Sequence, residues 1–229
     1  MGLADKITIY HAPPGFEPPT RLTVSETLQL QNITSRKLKA QYSRTRRLVR
    51  YVAQSQLPCL QRSGQAPTLP KPQTCISHKN QHIIACLHNT KSPRIGIDIE
   101  ANRNLPARLL QRISNPSDID QITKAFPDMP DSLHFSYKES LVKSLQGSPN
   151  IFEVARTSKI LNINTKLQHF VVDTSVGLYQ VQFFPLNSPY LITVAMPIQQ
   201  DLAISCRNSV VRTLTVTSDD LNTDNSLPL

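Results

Sequence analysis

Two short segments hold the side chains whose types and spacing could do chemistry. One is Gly96-Ile97-Asp98-Ile99-Glu100, and the other is Phe135-Ser136-Tyr137-Lys138-Glu139-Ser140-Leu141-Val142-Lys143. In the first, Ile95, Ile97 and Ile99 alternate with Gly96, Asp98 and Glu100, the period-two pattern of a strand with one apolar and one polar face. Residues two apart on a strand lie roughly 6.5–7 Å apart on one face, so Asp98 and Glu100 project side by side. The second predicts a helix with Asp131 or Ser132 as N-cap, Leu133, Tyr137, Leu141 and Leu145 at helical spacing, and Gly147 as the stop. Glu139 and Lys143 then share one helix face. Three carboxylates, Asp98, Glu100 and Glu139, form an oxygen donor set of the kind Mg²⁺ takes alongside retained waters and substrate phosphates. Beside this stands the plainer interpretation, in which the strand face is simply solvated and Glu139 with Lys143 is a surface ion pair.

The rest of the chain must fold so as to bring these segments together. Its 229 residues suffice for one larger domain or two small ones, and 39% hydrophobic with 18% charged residues is a globular composition. Lys and Arg number 25 against 16 Asp and Glu, a formal charge of +9 that implies an anionic partner: nucleic acid, a membrane surface, a phosphate-rich cofactor or an acidic protein. The absence of Trp argues against a base-stacking surface. Cys59, Cys75, Cys86 and Cys206 form no C-x-x-C pair, the N-terminus lacks an apolar leader core, and no run approaches a membrane span. These features predict a cytoplasmic chain with reduced thiols and no membrane partner.

In order, Ile7 to Tyr10 predicts a strand followed by a proline-broken loop, and Ser25 to Gln56 a strongly basic helical region. Leu57 to Thr74 predicts a loop, and Ile83 to Leu87 a strand paired as a hairpin with the Asp98 strand. Arg108 to Lys124 predicts a helix interrupted at Asn115-Pro116-Ser117, and Lys166 to Thr174, Gly177 to Phe184 and Tyr190 to Ala195 predict strands. Beyond Arg207 the composition drifts toward Ser, Thr, Asp and Asn. Cys75, His78, His82, Cys86 and His88 cluster in sequence, but their spacing fits a zinc site poorly.

Ile76-Ser77-His78, Gly96-Ile97-Asp98-Ile99-Glu100 and Phe135-x-x-Lys138-Glu139-Ser140-x-x-Lys143, in this order and spacing, resemble the 4′-phosphopantetheinyl transferases of the surfactin and enterobactin type. The resemblance implies an α+β (mixed α/β) fold of two similar halves related by a pseudo-twofold axis, with the cofactor in the cleft between them. The halves would be residues 1–101, binding coenzyme A phosphates, and 102–206, carrying the Lys-Glu helix, with 207–229 a flexible tail. Tyr42, Arg46 and Arg50 match a basic motif of the family, with Thr45 where the family has Gly. Asp118 is the nearest counterpart of an acidic residue that family members place ahead of the helix.

By resemblance, Arg46, Arg50, Ser77, His78 and Lys143 would contact coenzyme A, and Asp98, Glu100 and Glu139 would hold Mg²⁺. Glu139 would act as base, directly or through a bound water, and Lys143 as an electrostatic stabiliser. The implied reaction moves the phosphopantetheine arm of coenzyme A onto a serine of an apo carrier protein or carrier domain, whether peptidyl, aryl or acyl, of a nonribosomal peptide, polyketide or fatty-acid synthase. Adenosine 3′,5′-bisphosphate would be the other product. The family's usual setting is siderophore or other secondary-metabolite synthesis, and the enzyme would be a monomer. The alternatives are a basic nucleic-acid-binding protein built on the arginine-rich helix and a non-catalytic relative that only binds carriers.

Overall fold

Alternating residues do form the strands, and helical periodicity the helices, but the pairing of the strands is not the simplest one. A computed structural model describes residues 7–56, 73–88, 94–145, 149–186, 189–198 and 209–213. The described elements are, in order, β1 (Ile7–Ala12), α1 (Val24–Gln31), α2 (Arg36–Gln56), β2 (Gln73–Lys79), β3 (His82–His88), β4 (Gly96–Ala101), α3 (Ala107–Ile113), α4 (Pro116–Ala125) and α5 (Ser132–Ser144). They continue with α6 (Ile151–Thr157), β5 (Lys159–Asn164), β6 (His169–Thr174), β7 (Gly177–Pro185), β8 (Tyr190–Pro197) and β9 (Ser209–Thr213). The fold mixes helix and sheet. One sheet has the order β2-β3-β1-β9 and the other β4-β8-β7-β6-β5. All pairings are antiparallel except β1 with β9.

Two expectations are corrected. The Asp98 strand β4 does not form a hairpin with β3; it pairs with β8, Asp98 lying opposite Thr193. It therefore belongs to the second sheet, although it falls within the predicted N-terminal half. Within the expected tail, Ser209–Thr213 is a strand alongside β1; 201–208 and 214–229 lie outside the described residues. So do Gly147 and most of the predicted 57–74 loop, whose last two residues open β2.

The sheets meet edge to edge. β2 and β4 are both outermost strands, and an unpaired edge leaves backbone amides that need partners. Side chains of β2 supply them: Ile97 N donates to Cys75 Sγ at 3.2 Å and Ile99 N to Ser77 Oγ at 3.4 Å. Behind this seam, Ile97 and Ile99 pack with Ile9, Ile84, Cys86, Ile192 and Val194. On the other face of β4 lies α5, whose Leu133, Tyr137 and Leu141 join Phe170, Val172, Val181 and Phe183 of the second sheet. Burial of this kind contributes about 1.5–3 kcal/mol per large apolar side chain. α2 covers the first sheet through Leu48 and Val52, one helical turn apart, against Tyr10, Ile83 and Ala85.

Gly96 explains itself here. A Cβ at this position would run into the Ser140 carbonyl and lie 2.7 Å from the Ser144 amide. The missing side chain lets α5 lie directly on the strand that bears Asp98. Among the described residues no helix is long and apolar enough to cross a membrane.

Candidate active site

Asp98, 5% exposed, is the hub. Its Oδ1 accepts from Ser77 Oγ and from Lys143 Nζ, each at 2.8 Å, and Lys143 Nζ also reaches Ser77 Oγ at 2.9 Å. Its Oδ2 accepts from Ser136 Oγ at 2.9 Å. A strand of the first sheet, a strand of the second and the helix packed on the second thus converge on one carboxylate. The alternation of β2 assigns its residues to two faces. Cys75, Ser77 and Lys79 reach toward β4, while Ile76 and His78 face a groove beside α2.

Glu100, two residues along β4, is buried and already paired. Lys79 Nζ lies 2.6 Å and Arg103 Nη2 3.8 Å from its Oε1, which also accepts from the Ala101 amide at 3.1 Å. Glu139 is half-buried and has no hydrogen-bond or ion-pair partner among the described residues. Burial, then the Asp98 charge and to a smaller degree that of Glu100, push its carboxyl above the ordinary range, against the pull of Lys143. Glu139 thus senses both carboxylates of β4. Even so, no group of three His, Cys, Asp or Glu side chains among the described residues is gathered closely enough to hold an ion. Two of the three carboxylates carry lysines instead.

The donor chemistry fits a hard divalent cation. It consists of carboxylate oxygens, and the Glu139 carboxylate, without a partner among the described residues, is destabilised by burial and by Asp98. Binding would require Lys143 and Lys79 to release Asp98 and Glu100.

Arg46 and His78 line one groove of about 390 Å³ with Ile33, Leu38, Gln41, Tyr42, Thr45 and Ile76. The Arg46 guanidinium lies 5.3 Å from the Tyr42 ring centre and pairs with no carboxylate among the described residues. His78 is depressed by burial and by the Lys143 charge, with Asp98 opposing. The shift connects the groove to the carboxylate hub electrostatically. Arg50 does not line this groove; its Nη2 is 2.7 Å from Glu26 Oε2.

Much of the basic character of α2 is spent internally. Arg44 Nε donates to the Phe16 carbonyl at 2.9 Å, and its other nitrogens reach the Pro13 and Gln81 carbonyls. Arg47 holds the Thr20 and Pro18 carbonyls at 2.7 and 2.5 Å and Glu17 Oε2 at 2.9 Å. These arginines tie down the proline-broken segment after β1, which has few backbone partners of its own. Arg36, Lys37 and Arg46 of the same helix are exposed.

Asp118 lies away from the hub. It is 0% exposed, with Lys138 Nζ at 3.5 Å, the Tyr137 hydroxyl at 3.2 Å and the Ile160 amide at 3.0 Å. Lys138, also 0% exposed, donates to Ser158 Oγ at 2.6 Å, and burial brings it down to about 8 despite Asp118.

Residues 94–195 match the family model described as the 4′-phosphopantetheinyl transferase superfamily. The matched segment contains β4, which carries Asp98 and Glu100, and α5, which carries Glu139 and Lys143. The match supports phosphopantetheine transfer in general. No curated protein matches the chain.

Sequence reasoning missed Ser136, which donates to Asp98, and Thr193, which is hydrogen-bonded to Ser136. Thr193 had a signal, being the one polar residue in the apolar run Leu191-Ile192-Thr193-Val194-Ala195.

Proposed function

We propose that the protein transfers the 4′-phosphopantetheine arm of coenzyme A to a serine of an apo carrier protein and releases adenosine 3′,5′-bisphosphate. The observation that carries this is the convergence of Ser77, Asp98 and Lys143, within 2.8–2.9 Å of one another, between a half-buried Glu139 and a groove bearing Arg46 and His78. A cofactor with several phosphates needs cations at one end and a general base at the other.

Arg46 and His78 would bind coenzyme A phosphates in the groove, the unpaired guanidinium acting as a fork for phosphate oxygens. Lys143 would turn from Asp98 to the pyrophosphate, where charge accumulates as the phosphoanhydride bond breaks. Glu139, whose carboxyl is raised above the ordinary range by burial and by Asp98, would take the serine proton as the hydroxyl oxygen bonds to phosphorus. The adenosine bisphosphate leaves with the bond's electron pair. Asp98, Glu100 and Glu139 would hold Mg²⁺, which supplies charge neutralisation on the pyrophosphate when bound. Arg50, held by Glu26, would contribute only by exchanging that partner for a phosphate. The same proposal includes a cofactor cleft between two related halves, a monomer working in the cytoplasm, and a siderophore or other secondary-metabolite pathway as its setting.

The test is intact-mass analysis of apo peptidyl, aryl and acyl carriers incubated with the protein, coenzyme A and Mg²⁺. A gain of about 340 Da on a carrier that disappears with chelator is expected. Unmodified carriers throughout, with salt-sensitive binding to DNA or RNA of any sequence, would replace this function with nucleic-acid binding.

A further inference from the structure

Asp98 is held on one side by groups that can leave for a substrate, and on the other by groups that cannot. Lys143 and Ser77 lie on Oδ1, and the Lys143 side chain is 27% exposed. Among the described residues Oδ2 meets only Ser136, which is 0% exposed, and Ser136 Oγ lies 2.9 Å from Thr193 Oγ1, also 0% exposed. Thr193 is directly opposite Asp98 in the β4–β8 ladder, so both side chains leave the sheet on the face that α5 covers.

Counting protons fixes the direction of this chain. A carboxylate oxygen only accepts, so the single hydroxyl proton of Ser136 goes to Asp98 Oδ2. The contact between the two hydroxyls then needs the Thr193 proton, which is shared with the Ser136 carbonyl at 2.9 Å. The hydroxyls point one way, from Thr193 to Ser136 to Asp98, and Thr193 also pins the backbone of α5 to β8.

We propose that Thr193 and Ser136 are positioning residues that lock Oδ2 of Asp98, so that Asp98 offers a single oxygen, Oδ1, to whatever replaces Lys143. This rests on the transferase function proposed above. When Lys143 swings to an anion, the carboxylate keeps its orientation because its other oxygen stays anchored in a sealed site. Without the anchor it rotates, and small misplacements of a catalytic carboxylate cost rate out of proportion to their size.

The experiment compares Thr193→Val, which keeps the shape and removes the hydroxyl, with Thr193→Ser, which keeps the hydroxyl. Two quantities are read on the full chain: steady-state transfer to carrier, and the affinity for Mn²⁺ in the presence of coenzyme A, by electron paramagnetic resonance of the free ion. The Val variant should lose about tenfold or more in kcat, with KM for coenzyme A within roughly threefold. It should bind Mn²⁺ more weakly by about tenfold or more, as loss of an outer-shell partner does. The Ser variant should recover most of both. A Val variant within about twofold of wild type in both quantities, or a Ser variant as impaired as Val, overturns the proposal. If wild type transfers nothing, the proposed function fails and the Mn²⁺ titration alone decides, equal affinities or no binding in either protein overturning the inference. If the Val variant does not fold, Ser136→Ala replaces it under the same criteria.

Discussion

Lys138 and Lys143 lie on the same helix, and each meets an aspartate, yet the two pairs are built for different ends. Lys138 and Asp118 are both 0% exposed and 3.5 Å apart, enclosed by Tyr137, Ser158 and the Ile160 amide. Lys143 and Asp98 are 2.8 Å apart, with the lysine 27% exposed and its nitrogen shared with Ser77. The sealed pair cannot exchange partners without stranding a charge in the interior, where the penalty is several kcal/mol per ion. The open pair can, since water and an incoming anion both reach the lysine. An ion pair at the rim of a site is a stored partner, whereas one beneath it is a fastener, here joining α5 to α4 and β5.

The sharpest way to break this comparison is through the fastener. Asp118→Ala should cost about 3–5 kcal/mol of stability, because it leaves Lys138 buried and uncompensated; urea denaturation measures it, and a loss under about 1 kcal/mol would mean that the interior relaxes around the lone lysine. Glu139→Gln should do the opposite. Transfer rate should fall about 10²–10³-fold, comparable to removing a group that acts mainly in the transition state. The melting temperature should hold or rise, because the substitution relieves repulsion from Asp98 and Glu100.

A smaller effect lies in pH. His134, 2% exposed and 3.0 Å from Ser114 Oγ, is lowered to about 4, mainly by burial. Its folded value lies below its unfolded one, so the unfolded chain binds the extra proton first. Its contribution is intact above about pH 6.5 and is lost as pH falls toward about 4, on the order of 2–3 kcal/mol. Urea midpoints across that range should fall in wild type, and His134→Gln should flatten the fall. Arg46→Ala is expected to be the mildest, raising KM for coenzyme A about tenfold with kcat and stability nearly unchanged.

What could be read from the sequence follows the same division between local and long-range order. The helix carrying Glu139 and Lys143, the strand carrying Asp98 and Glu100, and the long basic helix were legible because each is written in its own periodicity. The partner of β4 was not. Ile83 to Leu87 is nearest in sequence, and nothing local says that β8 wins. β2, with the mixed sequence Gln73-Thr74-Cys75-Ile76-Ser77-His78-Lys79, has too few apolar residues to announce a strand. Its neighbours supply the reason it forms, through the seam with β4. Strand β9 sits in a polar stretch for the same reason, and α6 is a short helix whose capping box at Asn150 and Glu153 was overlooked.

Within the site, Arg46 and His78 line one groove, and Ser77 meets Asp98 and Lys143. The lysines on Asp98 and Glu100 could not be foreseen, since Lys79 and Glu100 are neighbours only once the sheets have met edge to edge.

The most direct measurement sets Asp98→Asn beside Asp118→Asn, scoring each for carrier modification per folded molecule and for unfolding free energy. If the open pair does the chemistry, Asp98→Asn loses about 10²–10³-fold in transfer rate with stability within about 1 kcal/mol of wild type. Asp118→Asn should lose stability and keep most of its rate per folded molecule. Comparable transfer rates in the two variants would contradict the placement of the reaction at Asp98.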